Sequence, residues 1–409
     1  MKIGIEKLNL YAGRLSTDAV ELAVARGKER RYATDQVMVG ERAVIPVFED
    51  AVTLAVNAAR PLVSPEDAKR IELVIVNTES AVDFGKPVST WVHRFCRLQE
   101  NCRSFEIKHA CYGGTGALKM AALWVASGVR PGKKALVVSA DFTRPHVADG
   151  FDFVGGGGAV AMLVGADPAV LEIDVDKAGY WTHEISDAFR PTSTIEQVNN
   201  ETSLYSYLDA LDGAFNHYTQ IVGPVDYPSR FKKHIYHAPF PGMTLQAHRA
   251  LMRSFDAPKA AIEESFQAKV LDGLRLARRI GTAYGASNFV SLLSLLTTAK
   301  DLAAGDEISF FSYGSGCQGE FYHGTLGRGA IDLAHTLGVD RALDERARLP
   351  MALYERNEQL RQGFADRPDY DPVHVGDPAY DALYEEHYAG RGLVVLKRVE
   401  GHHRTYEPS

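Results

Sequence analysis

Five short runs rich in β-branched and apolar residues constrain what this chain folds into. IELVIV (71–76), KALVVSAD (134–141), GAVAMLVG (158–165), EISFFSYG (307–314) and GLVVLKRV (392–399) are compact, continuous and bounded by Gly or charge, so each reads as a buried strand. Longer helical stretches lie between them. GALKMAALWVASG (116–128) and NFVSLLSLLTTAKDL (288–302) are apolar almost all round and predict buried helices, whereas EDAVTLAVNAARPLV (49–63) reads as amphipathic. Strand–helix–strand alternation implies an α/β architecture with helices packed on sheet faces. KALVVSAD and EISFFSYG share a design, since both follow a helix and end in small polar residues. Each half of the chain could hold one such unit, although no repeat proves a duplication. The stretch from Ala365 to Tyr388 differs, with Asp366, Asp369, Asp371, Asp377, Asp381, Glu385 and Glu386 among three prolines, and reads as a solvated excursion before the last strand.

The chain has 409 residues, 45% hydrophobic and 24% charged, as in a globular protein rather than a disordered one. Its net charge of −7 argues against a nucleic-acid binder. No apolar run is long enough to span a bilayer, and MKIGIEKLNLYAG lacks the apolar segment of a signal peptide. The four cysteines, at 96, 102, 111 and 317, have neither disulfide-scaffold density nor metal-ligand spacing. A cytoplasmic chain with free thiols and no metal is the simplest expectation.

FEIKHACYGGTGALKMAALWV (105–125) is the richest stretch. An apolar lead-in reaches Cys111, a glycine-rich turn follows, and then an apolar helix. A cysteine at the mouth of a helix faces unpaired N–H groups and the positive dipole end, which predicts a lowered thiol pKa. The glycines let the backbone approach a ligand and leave N–H groups to hold an oxyanion. Cys96 and Cys102 lack this setting and read as structural. A reactive thiolate needs a proton partner, usually His. Of 14 histidines, His237 stands out because HIYHAPF (234–240) is a short apolar run that ends at the boundary of strand and loop. Glu79 ends another apolar strand, where functional groups of α/β folds gather, although taken alone it reads rather as a solvated loop or helix-start carboxylate. SYGSGCQGEFY (312–322) is a second Gly/Ser turn after a strand, either an oxyanion donor or only a tight turn.

Taken together, ESAVDFGKPVSTWVH with Glu79, EIKHACYGGTG with Cys111, HIYHAPF with His237 and FSYGSG with Ser315 resemble, in order and approximate spacing, the 3-hydroxy-3-methylglutaryl (HMG) synthases of the thiolase superfamily. The opening MKIGIEKLNLY and the closing strand extend the resemblance over nearly the whole chain. It implies a thiolase-like α/β fold with two related halves in five αβαβα layers, usually in a homodimer. Residues 1–170 would carry Glu79 and Cys111, and residues 171–409 would carry His237 and the SYGSG loop. Cys111 would take an acetyl group from a thioester, Glu79 would remove a methyl proton, and His237 would hydrogen-bond the acceptor's β-keto oxygen. Gly314, Ser315, Tyr313 and Thr282 would form the oxyanion and substrate pocket. Water would then release the product. No bound cofactor is implied, because the substrate brings its own phosphopantetheine arm or CoA.

Departures from the mevalonate-pathway members refine this. Those enzymes have lysines soon after the catalytic His, for CoA phosphates, but here APFPGMTLQAHRALMR runs to Arg253 with no Lys before Lys259. HAPFPGM…AHR, like DFGKPVSTWVH, resembles the HMG synthases of polyketide β-branching, which act between donor and acceptor acyl carrier proteins. Such partners present an acidic helix and require local positive charge. Arg30, Arg31, Arg230, Lys232, Lys233, His248, Arg249 and Arg253 are the candidates, with Arg31, His248 and Arg249 expected to touch the donor carrier or its phosphate. Thr282 stands where the family has an acetyl-binding Asn, and Pro145 where CoA-using members often have Tyr. The latter fits a larger donor such as propionyl, or weak activity. The competing readings are a CoA-dependent HMG-CoA synthase of isoprenoid supply, another thiolase-type condensing enzyme, and a catalytically silent carrier-binding scaffold.

Overall fold

The computed structural model describes residues 2–144 and 150–409. Its main sheet contains β1 (Gly4–Tyr11), β2 (Ile71–Asn77), β3 (Arg103–Ile107), β4 (Lys134–Phe142), β5 (Gly157–Gly165), β6 (Leu171–Thr182), β7 (Lys233–Tyr236), β8 (Glu307–Gly314) and β9 (Gln318–Leu326). Their order is β7-β8-β9-β6-β1-β5-β4-β2-β3. The ladder is continuous, but β1 and β6 meet through only two residue pairs, Gly4 with Glu172 and Ile5 with Leu171. The sheet is therefore two half-sheets joined at a corner. β4 is parallel to β2 and antiparallel to β5, and β8 is parallel to β7 and antiparallel to β9. The two strands that share a design in the sequence thus hold equivalent places in the two halves.

Helices fill the layers on and between these half-sheets. α1 (Ala51–Ala59) covers β4 and β5 on one side of the first half. α2 (Gly113–Ala126) packs against β2, β4 and β5, and its Thr115 bonds Ser312 of β8, so it lies between the halves. α3 (Asn200–Val222) covers the outer face of β6 and β9, and α4 (Pro241–Arg253) follows β7 on that side. α5 (Ser287–Thr298) joins α2 in the central layer, where its Asn288 reaches Phe311 and Ser312 of β8. This is the layered thiolase-like arrangement.

Several elements differ from the sequence reading. Every residue of α1 is buried, although an exposed face was predicted. Its second face is covered by the C-terminal strand Val394–Glu400, whose Val394 exchanges two hydrogen bonds with the Asn57 side chain, at 2.8 and 2.9 Å. α2 was expected to be buried all round, yet Met120 and Leu123 are exposed on its outer side. Val394–Glu400 forms a ladder with His403–Pro408 and a single bridge from Val399 to Tyr370, outside the main sheet. The acidic segment after Ala365 is not merely solvated. It forms a helix, Pro378–His387, whose N-terminus Asp377 caps, and Tyr380, Leu383, Tyr384 and Tyr388 are buried in a cluster with Leu15, Leu22 and Phe48. The acids make caps and turns while the tyrosines between them supply the apolar surface.

Tyr388 also reaches a buried carboxylate. Its hydroxyl donates to Glu49 (2.7 Å), and Tyr11 donates to the other oxygen (2.6 Å). Burial outweighs these donors and pushes Glu49 up to about 7. The folded state therefore holds this proton over a range where the unfolded chain releases it. The resulting stabilisation is full below about pH 4.5 and is lost as pH rises through about 7. Urea midpoints compared at pH 5 and pH 7.5 should show Glu49→Gln flattening the loss seen in the wild type, by up to about 3 kcal/mol.

Candidate active site

The parallel register of β2 and β4 pairs Asn77 with Ser139, which brings the chain ends beyond them together. Asp141, near the end of β4, accepts hydrogen bonds from the Glu79 N–H (2.8 Å) and the Thr78 hydroxyl (3.0 Å). The turn bearing Glu79 is thereby fixed. β3 runs on through residues 108–112 to α2, with Ala110 at a φ of +40°. Cys111 stands just before the helix N-cap Tyr112, with its sulfur 3.6 Å from Glu79 Oε1. The two motifs, 32 residues apart in sequence, form one contact.

β8 reaches the same place from the other half. A Cβ on Gly314 would lie 2.5 Å from the Tyr112 nitrogen and 2.8 Å from the His109 oxygen, so only glycine lets the strand come this close to the Cys111 turn. Ser315 follows, half-buried in the turn between β8 and β9. His237 lies one residue beyond β7. Its N–H donates to Phe311 O of β8, and its carbonyl accepts the Tyr207 hydroxyl, both at 2.8 Å. The neighbouring Ala238 N–H is held by Ser287 Oγ at 2.9 Å.

Other residues read from the sequence lie elsewhere. Tyr313 points away from α2, because strand side chains alternate, and its hydroxyl lies within 2.8 Å of both Asp187 and Ser206. It packs in the core beneath α3 rather than lining the thiol side. Thr282 is buried, with its hydroxyl 3.5 Å from the Tyr284 N–H. His248 cannot touch a docked partner, since its ring is fully buried between the Tyr236 hydroxyl (3.0 Å) and Ser265 Oγ (3.1 Å). Arg31 is exposed beside Glu29, and Arg249 is half-exposed on α4. Arg31 immediately precedes the helical turn Tyr32–Val37, which packs against α4, so both bases belong to one region. Arg230, Lys232 and Lys233 are all engaged by Glu307, Asp272 or Asp301. Pro145 lies outside the described residues.

Electrostatics reverse one expectation. The Cys111 thiol is pushed well up, first by burial and then by the charges of Glu79 and Asp141, rather than down by the helix dipole. Burial also pushes Glu79 up to about 7, against the pull of Arg190, and Asp141 up to about 6. Burial pushes His237 down to about 3, so it is a neutral imidazole at physiological pH. The resting pair is therefore a thiol beside a carboxylate of unusually high proton affinity.

Four residues around Glu79 were not found from the sequence. Asp141 had the same signal as Glu79, a carboxylate ending an apolar strand. Arg190 and Glu196 come from a hairpin of two-residue strands, Ala188–Phe189 and Gln197–Val198, and Tyr284 from a single turn. None of these has a periodic pattern to mark it.

Layers, paired half-sheets and a half-buried cysteine–carboxylate contact define a thiolase-type condensing enzyme. Comparison with known proteins agrees. Residues 1–169 match the family of the hydroxymethylglutaryl-coenzyme A synthase N-terminal region, and residues 248–404 that of the C-terminal region. The polyketide biosynthesis 3-hydroxy-3-methylglutaryl-ACP synthase PksG of Bacillus subtilis (strain 168) is 38% identical over 86% of this chain and 87% of its own length. A hydroxymethylglutaryl-CoA synthase of Enterococcus faecalis is 34% identical over 87% and 91%. The crystal structure of the curacin biosynthetic pathway HMG synthase, also solved in complex with its donor-ACP, superposes with a TM-score of 0.94 at 37% identity, covering 100% of both chains. The chain belongs to the hydroxymethylglutaryl-CoA synthase family.

The electrostatics give a direct test. Alkylation of Cys111 by iodoacetamide, followed by intact mass against pH, should be slow at neutral pH and still be rising where an ordinary thiol has levelled off. Glu79→Gln removes the adjacent negative charge and should move that rise to lower pH.

Proposed function

We propose that this enzyme condenses an acetyl group, carried on Cys111, with a β-ketoacyl group on an acyl carrier protein, and then hydrolyses the enzyme thioester. The observation that carries the reading is the half-buried 3.6 Å contact between Cys111 Sγ and Glu79 Oε1. In the first step the Cys111 sulfur attacks the donor thioester. Its proton passes to Glu79 and on to the leaving pantetheine thiol. Backbone N–H groups at Cys111 and Ser315 would hold the oxyanion. In the second step Glu79 takes a proton from the acetyl methyl group, a weak carbon acid. A base with a pKa near 7 suits this, because it is deprotonated at neutral pH yet strongly basic for a carboxylate. The new carbanion equivalent attacks the acceptor ketone, and the neutral N–H of His237 donates to the developing alkoxide. Covalent storage on sulfur keeps the reacting carbons close. Thr282 would border the acetyl site.

The carrier-protein substrate is favoured over free CoA by similarity to PksG and to the curacin pathway synthase, which has been crystallised with holo and acetyl donor-ACP. A phosphopantetheine arm would then enter with the substrate, and no other cofactor is needed. The half-exposed Arg249 and exposed Arg31 are the proposed contacts for the donor carrier. The reading divides the chain at residue 170, between β5 and β6.

Incubation with acetyl-loaded donor carrier and acetoacetyl-loaded acceptor should add the mass of one acetic acid to the acceptor. Cys111→Ala should abolish the product, and Glu79→Gln should lower condensation by about a thousandfold or more. Loading of Cys111 from acetyl-CoA but not from the acetyl carrier would instead identify a CoA-dependent enzyme. Charge reversal of both Arg31 and Arg249 should raise KM for the acetyl carrier about tenfold and spare acetyl transfer from small thioesters.

A further inference from the structure

Glu79 lies between two groups. Oε1 faces the Cys111 sulfur, and Oε2 lies 3.6 Å from Arg190 Nε. That Nε is buried and has no hydrogen-bond partner, so it is a donor aimed at the carboxylate and held in reserve. The rest of the guanidinium is fixed. Nη1 donates to Ser80 Oγ at 2.7 Å and lies 3.3 Å from the Glu79 carbonyl, while Nη2 reaches both oxygens of Glu196, at 3.1 and 3.2 Å. Tyr284 stacks on the guanidinium, 4.5 Å from carbon to ring centroid, and its hydroxyl donates to Glu196 at 3.1 Å. Arg190 directly follows the first strand of its hairpin and Glu196 directly precedes the second, so one loop delivers both.

We propose that Arg190 is a positioning residue that holds Glu79 Oε2 so that Oε1 stays on the acyl-bearing sulfur, and that Glu196 with Tyr284 holds Arg190 there and shares its charge. This deepens the proposed function and rests on Glu79 being the base. The sharing has an electrostatic purpose. A full cation devoted to Glu79 would stabilise the carboxylate and weaken the base, whereas no cation would leave it protonated at neutral pH. The charged and titratable groups facing Glu79 are Cys111, Asp141, Arg190 and Glu196, with Tyr284 and Arg144 packed against the last two. Arg190 is the cation among the named causes acting on Glu79, and it opposes burial, Asp141 and Glu196.

The test loads Cys111 with acetyl from its carrier, checks the adduct by intact mass, and then chases with acetoacetyl carrier in single-turnover assays from pH 5 to 9. Arg190→Gln should move the acidic limb of the condensation rate up by a pH unit or more, with at least a tenfold loss at neutral pH. Glu196→Gln should move the same limb down by about half a unit or more. Arg190→Lys should restore the limb part of the way. Opposite shifts in two variants with unchanged thermal midpoints are not produced by general loosening of the site. If the wild type loads and condenses but the Arg190→Gln and Glu196→Gln limbs stay with the wild type, the inference fails while the proposed function stands. If the wild type itself does not condense, the proposed function is what fails.

Discussion

Two carboxylates and a thiol held beside each other are what this site depends on. Asp141 is fully buried and Glu79 and Cys111 half-buried, and the charge of Asp141 makes both of its neighbours harder to ionise. In water such a cluster would simply ionise and separate. Here Asp141 is tied to the backbone of the Glu79 turn, and Arg190 is threaded between Glu79 and Glu196. The outcome is a carboxylate with the proton affinity of an imidazole and a histidine, His237, that stays uncharged. A carboxylate of that basicity is what the proposed carbon-acid step calls for.

The fold supplies this cluster through equivalence of its halves. Parallel strands β2 and β3 lead out to Glu79, two residues past its strand, and Cys111, four past its own, and parallel strands β7 and β8 lead directly to His237 and Ser315. Between them, Thr115 of α2 bonds Ser312, and the missing side chain at Gly314 lets the second half touch the Cys111 turn. A displacement of one half relative to the other would draw the β8 turn away from Cys111 while leaving each core intact.

The sequence made the strand framework legible because buried strands are short, apolar and β-branched, and EISFFSYG (307–314) matches β8 residue for residue. The places of Glu79 and His237 just beyond strands were legible for the same reason, and that of Cys111 from the glycine-rich turn before an apolar helix. The thiol's acidity was not. A helix dipole is a local feature of the chain, whereas the burial and carboxylates that outweigh it exist only once β2 and β4 are paired. Arg190 and Tyr284 were hidden because their elements are too short to carry a period. His248 was misread although its signal was present. It shares a buried stripe of α4 with Thr244, Leu251 and Met252, at helical spacing, and so belongs to the core rather than the surface.

Leu15, Leu22 and Phe48 are covered by Leu349, Tyr380, Tyr384, Tyr388 and Val395, which come far later in the chain. During synthesis the first α/β half leaves the ribosome long before its cover does, with an oily flank open to solvent or to a chaperone. Translation halted before Leu349 would therefore strand the paired half-sheets on an unsealed body.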